Sequence, residues 1–109
     1  MIEGIGKDAE IVVNKNGGKQ SKSPFRFDLI PPEAMFKLAE VLAYGAERYT
    51  PNNWRLIPRH KHLNHALVHA FAYMAGDTTD EHFEHFLCRV VMAASVKEQE
   101  GHSYTEYKG

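Results

Sequence analysis

Apolar residues recur at helical spacing in three stretches of this chain and show no such order in the first 28 residues. Met35, Leu38, Ala39, Leu42 and Ala46 form the first stripe, three and four residues apart. Pro31 or Pro32 suits the start of that helix, where a missing N–H costs nothing. Thr50-Pro51 ends it at about Tyr49, because the residue before a proline is pushed out of the α region. The second stripe is Leu63, Ala66, Leu67, Ala70, Phe71 and Met74, and it predicts a helix over 61–75. Gly76 reads as its C-terminal stop, and Thr79 or Asp80 as the N-cap of a third helix. That helix is predicted over 81–98, with Phe83, Phe86, Leu87, Val90, Val91 and Ala94 inward. The last two stripes match at an offset of 20 residues.

The irregular parts have their own chemistry. "AEIVVN" at 9–14 predicts one short strand, and "NGGKQSKSPFRF" at 16–27 is loop-like. Its "GGK" lacks the remaining residues of a phosphate loop: Val13 and Gln20 stand where a Gly and a Ser or Thr are needed. Two readings remain for it, a flexible basic loop and a loop that closes on an anion through Lys19, Lys22 and Arg26. Residues 50–59 read as a turn-rich loop carrying Trp54. The expected architecture is all-α, with a three-helix core over about 32–49, 61–75 and 81–98. The corresponding division is an N-terminal arm over 1–28, a helical domain over 29–100 and a loose tail over 101–109.

Length sharpens this picture. A chain of 109 residues buries only about 65% of its unfolded surface. Much of it is loop, so oligomerisation is expected to complete the core. The formal net charge of −1 gives no broad attraction to DNA or to acidic membranes. Cys88 is the only cysteine, which excludes an internal disulfide and a cysteine-based zinc site. The longest apolar runs fall far short of the roughly 20 residues that span a bilayer. "MIEGIGKDAE" lacks the apolar run of a signal peptide. These features point to the cytoplasm.

Six of the seven histidines lie between residues 60 and 85. On a helical projection His62, His65 and His69 lie roughly 110–170° from the centre of their apolar stripe. His82, His85 and Arg89 occupy the same sector of the third helix. All six are therefore expected on an outward polar face, away from the core. The short "GDTTD" turn predicts an antiparallel hairpin, with His69 level with His85 and His65 level with Arg89. A wet groove of this composition suits an anion or a divalent ion, although a plain solvated face has the same pattern. Asp77, Asp80, Glu81 and Glu84 are close in sequence. On the first helix Glu33, Glu40 and Glu47 repeat every seven residues, as a solvated face or an acidic stripe.

The ordered pieces "GGKQSKSPFRFDLIPPEAM", "YGAERY", "NNWR" and "HLNHALVHAFAYMAGDTTDEHFEHFLCRVVMA" resemble the phage-associated dATP/dGTP diphosphohydrolase N-terminal family over residues 17–98. The resemblance implies an all-α fold related to MazG-like nucleotide pyrophosphatases. It implies hydrolysis of a nucleoside triphosphate to monophosphate and pyrophosphate with manganese or magnesium, in a homo-oligomer. For a virus-encoded chain the compartment is the host cytoplasm. Two departures stand out. The first helix has no ExxE metal motif, although Glu81 and Glu84 have that spacing on the third. The family's arginine before the histidine of the second helix is Val68 here. A non-catalytic nucleotide binder on the same scaffold is therefore the alternative.

Diphosphohydrolysis needs held phosphates, neutralised charge and an oriented water. The expected metal group is His65, His69, Asp77, His82 and His85, with Glu81, Glu84 and His69 as catalytic side chains. Lys19, Lys22, Arg26, Arg48, Arg55 and Arg89 are the expected phosphate contacts. Tyr44 and Trp54 are candidates to stack on a base; the other reading of Trp54 is a loop anchor that packs on the core.

Overall fold

A computed structural model of the chain describes residues 6–98. The chain divides into two compact units, Met1–Pro31 and Pro32–Gly109. The tail expected over 101–109 lies outside the described residues.

The first unit holds an antiparallel β-hairpin of β1 (Ile11–Val13) and β2 (Lys19–Ser21), with Val12 opposite Gln20. The sequence predicts one strand where two form. The second, Lys-Gln-Ser, has no apolar signal; the turn dictates it. The Asn14 side-chain oxygen accepts the N–H groups of Asn16 and Gly18, each at 2.9 Å. Gly17 supplies the left-handed φ of 82°. "GGK" is thus the turn and first strand residue of a hairpin. A 3₁₀ turn at Phe27–Leu29 follows.

The second unit is three helices: α1 (Pro32–Arg48), α2 (Arg59–Met74) and α3 (His82–Ser95). Pro32 opens α1, and Glu33 and Arg48 match the poles of its dipole. Between α1 and α2 lies a 3₁₀ turn, Asn53–Leu56, entered through Asn52 at φ 65°, a conformation asparagine tolerates. The end of α2 is a Schellman cap. Gly76 takes φ 84°, its N–H donates to Tyr73 and that of Asp77 to Ala72, at 3.0 Å each. This sharp stop folds α3 back along α2.

The helix α3 stops at Ser95, short of the expected 98, with Val96 extended. Arg59 supplies the reason. Its Nε donates to the carbonyls of Ala93 at 2.8 Å and Val96 at 3.2 Å, and its backbone N–H to Lys97 at 3.2 Å. These bonds occupy carbonyls at the end of the helix. Beside them, His60 Nδ1 meets Glu98 Oε1 at 2.7 Å.

The buried apolar side chains among the described residues are small: Ala66, Cys88 and Ala93. They let backbones approach closely, which leaves larger neighbours at the margins. The stripe residues expected inward are in part exposed: Leu67, Phe71 and Met74 on α2, Phe83 and Val90 on α3, and Met35 on α1. Leu38, Leu42, Leu63, Phe86, Leu87 and Val91 are half-buried. Among the described residues, no helix is long and apolar enough to cross a membrane.

Candidate functional site

The α2–α3 hairpin has a closed end, at the Gly76 turn, and an open end, where Arg59 grips α3. His69 in the last turns of α2 meets His82, the first residue of α3, with their Nδ1 atoms 2.9 Å apart. His85, one turn further along α3, stacks on His69 with ring centroids 5.0 Å apart and planes at 20°. The turn adds two carboxylates. Asp77 Oδ2 accepts from His82 Nε2 and from the Thr79 hydroxyl. Asp80 Oδ1 stands 3.5 Å from His85 Nε2 and accepts the N–H of Glu81.

This geometry assigns protons. Asp77 is an acceptor, so His82 Nε2 carries hydrogen and, in the neutral ring, its Nδ1 presents a lone pair to His69. The Thr79 hydroxyl, and after it His82, hold the Asp77 carboxyl below the usual range, so it stays ionised. Burial, and then the neighbouring His85 and His82, push the His69 pKa down and favour its neutral, metal-binding form.

The donor atoms of His69, Asp80 and His82 all lie within 4.8 Å of one another. Two nitrogens bound to one ion at about 2.1 Å and at right angles stand about 3.0 Å apart, close to the Nδ1 separation seen. Asp77 behind His82 is the outer carboxylate that commonly orients a metal-binding imidazole. The residues therefore fit a divalent ion, with two imidazoles and one carboxylate as ligands.

Of the residues expected from the sequence to form the metal group, the fold brings together His69, His82, His85 and Asp77. It leaves His65 apart: one turn back along α2 and largely exposed, with partial desolvation and then the charge of Arg89 lowering its pKa. Asp80 was expected only as a nearby acid, and it is a member of the donor group. Its signal was the Asp-x-His spacing with His82 across a tight turn. Glu84 pairs with Lys37 of α1 at 3.2 Å, a tie between helices. Glu81 precedes α3 and makes no ion pair among the described residues.

The expectation of an outward polar face fails for His62, which is 0% exposed. The 3₁₀ turn before α2 folds over this part of the helix, and the Trp54 carbonyl accepts from His62 Nε2 at 2.8 Å. Trp54 is half-buried, with the Arg55 guanidinium 4.3 Å over its ring. Arg89 Nη1 reaches His62 Nδ1 at 3.1 Å. On α1, Arg48 lies within 3.5 Å of the exposed Tyr44 hydroxyl. In the first unit Arg26 forks onto Asp28 at 2.9 and 2.8 Å, and Lys22 is 3.9 Å from Glu10. Lys19 pairs with Val13 in the hairpin.

Fold and site together define an all-α protein with an imidazole–carboxylate donor group at the closed end of a helical hairpin. The chain belongs to the dATP/dGTP diphosphohydrolase, N-terminal family, whose model matches residues 14–105. No curated protein and no solved structure matches it.

Proposed function

We propose that the chain is a divalent-metal-dependent diphosphohydrolase of dATP and dGTP, releasing the monophosphate and pyrophosphate. The observation that carries this is the His69–Asp80–His82 donor group in a chain of this family. Its nitrogen donors favour manganese over magnesium, which prefers an all-oxygen shell. A bound ion there would neutralise phosphate charge and acidify a bound water. In the reaction, water adds to the α-phosphorus as the bond to the bridging oxygen breaks, and pyrophosphate departs with that oxygen. Asp77 keeps the His82 ring in one tautomer, and His85 holds the carboxylate of Asp80 from its other side. Glu81, next to His82 in the chain and with no ion pair among the described residues, is the side chain we assign to take the proton from water. His69 is kept neutral by its surroundings. Arg48, Arg55 and Arg89 are the cations of the helical unit we assign to phosphate; in the arm, Arg26 and Lys22 already face Asp28 and Glu10. Tyr44 and Trp54 remain the aromatic surfaces for a base.

The partly exposed Leu67, Phe71, Met74 and Phe83 support self-association of the helices in a cytoplasmic homo-oligomer. Phe71→Glu then yields a monomer in sedimentation velocity. A second reading, nucleotide binding without turnover, is favoured by one observation: Glu84, which forms an ExxE pair with Glu81 just before α3, is engaged by Lys37. Incubation with dATP or dGTP and manganese, followed by mass analysis, decides. Pyrophosphate and monophosphate that vanish in His82→Ala support the enzyme. Bound nucleotide recovered intact after heat denaturation supports the binder, and neither outcome removes both readings from this site.

A further inference from the structure

Arg89 takes no part in the donor group and has no carboxylate partner among the described residues. Its guanidinium is half-buried, and burial lowers its pKa, yet arginine remains charged in proteins. A charge withdrawn from water without a counter-charge is costly, and the cost is relieved when an anion arrives. The contact Arg89 does make is with a neutral acceptor. His62 Nε2 faces the Trp54 carbonyl at 2.8 Å, and a carbonyl only accepts, so Nε2 carries the hydrogen. That leaves Nδ1 as a lone pair for Arg89 Nη1–H at 3.1 Å. The ring is wholly buried, fixed at both nitrogens and unable to turn away. A carboxylate in its place would cancel the charge of Arg89; an imidazole aims the guanidinium and leaves the charge available.

We propose that His62 is a positioning residue that presents Arg89 as a subsite for a phosphoryl oxyanion. Arg89 is seven residues beyond His82 on α3, about 10 Å along the helix from that ligand and one turn beyond His85. One triphosphate chain therefore engages the donor group with one end and Arg89 with the other. This assignment rests on the reading of the chain as one that handles nucleoside triphosphates.

The test is calorimetry of inorganic triphosphate with the full chain at fixed low salt, with metal removed by chelator, and a separate manganese titration. The wild-type chain binds the triphosphate, and Arg89→Gln weakens binding by about tenfold or more, the loss expected of a charge-assisted contact. His62→Leu weakens it to the same degree. His62→Gln retains most of the affinity, because an amide can donate to Trp54 and accept from Arg89. Manganese binding stays unchanged in all three variants. Should His62→Leu fail to fold, the contrast between His62→Gln and Arg89→Gln carries the test. Triphosphate affinity in folded Arg89→Gln equal to wild type, or no triphosphate binding by the wild-type chain, overturns the subsite. Arg89-dependent triphosphate binding without pyrophosphate release from dATP or dGTP leaves the subsite standing and removes the enzyme reading.

Discussion

The two ends of the α2–α3 hairpin use the same residue type in opposite ways. At the open end His60 and His62 are buried and each nitrogen described has a fixed partner: Glu98 for one, Trp54 and Arg89 for the other. At the closed end His69, His82 and His85 are half-buried and face one another and two carboxylates. The first arrangement uses up hydrogen-bonding capacity in holding the chain. The second gathers two imidazole nitrogens and a carboxylate oxygen around one point, which is what a cation needs once it displaces the shared proton. An imidazole's role is thus set by what covers its helix, since spacing along α2 alone does not separate His62 from His69.

That contrast is exposed first by substitution at the closed end. His69→Ala or His82→Ala is expected to eliminate manganese-dependent pyrophosphate release while the melting curve keeps its cooperative shape. Asp77→Asn is expected to lower metal affinity by about 10-fold or more, read by manganese titration, because it replaces the charged acceptor behind His82 with a neutral amide that can also turn its N–H groups toward the ring. Wild-type manganese affinity in Asp77→Asn would mean that the closed end does not act as a metal site.

At the open end the effect falls on stability. His62→Leu strands the Trp54 carbonyl and the Arg89 guanidinium, at a cost of about 2–3 kcal/mol in urea unfolding. His62→Gln should recover much of it.

Acidification acts on both ends. Burial is the leading cause that lowers the pKa of His62, His65 and His69. Below about pH 6.5 the unfolded chain takes up protons that the fold resists, so stability falls as pH drops from there toward the depressed values. Melting temperatures between about pH 7.5 and 5 check this. Manganese should raise the melting temperature less at the acid end, where protons compete for the same nitrogens. The smallest effect belongs to Lys37→Met, which breaks an exposed pair with Glu84 and should cost under about 1 kcal/mol. If Glu84→Gln nevertheless abolished turnover, that carboxylate would have to act in the reaction as well as in the pair.

The helices were legible because periodicity, Pro32 and Gly76 agree, each reporting a local preference of the backbone. The level pairing of His69 with His85 followed from the short turn and is seen as a ring stack. Three things were not legible. Strand Lys19–Ser21 has no apolar pattern and is imposed by the side chain of Asn14. The burial of His62 depends on a 3₁₀ turn eight residues upstream, a contact no helical projection of α2 contains. Asp80 joins His69 and His82 only after the turn is closed. In each case a loop moved a residue out of the environment its own helix or strand prescribes.

The Schellman stop at Gly76 has a bearing on where this chain tolerates engineering. The hairpin tip at residues 14–18 lies in the other unit, so an insertion there disturbs the Asn14 turn and strand β2 while the donor group is left as it is. The bend at 76–81 is a hinge plate cut to one size. A single residue added there would change where α3 begins relative to α2 and carry His82 away from His69.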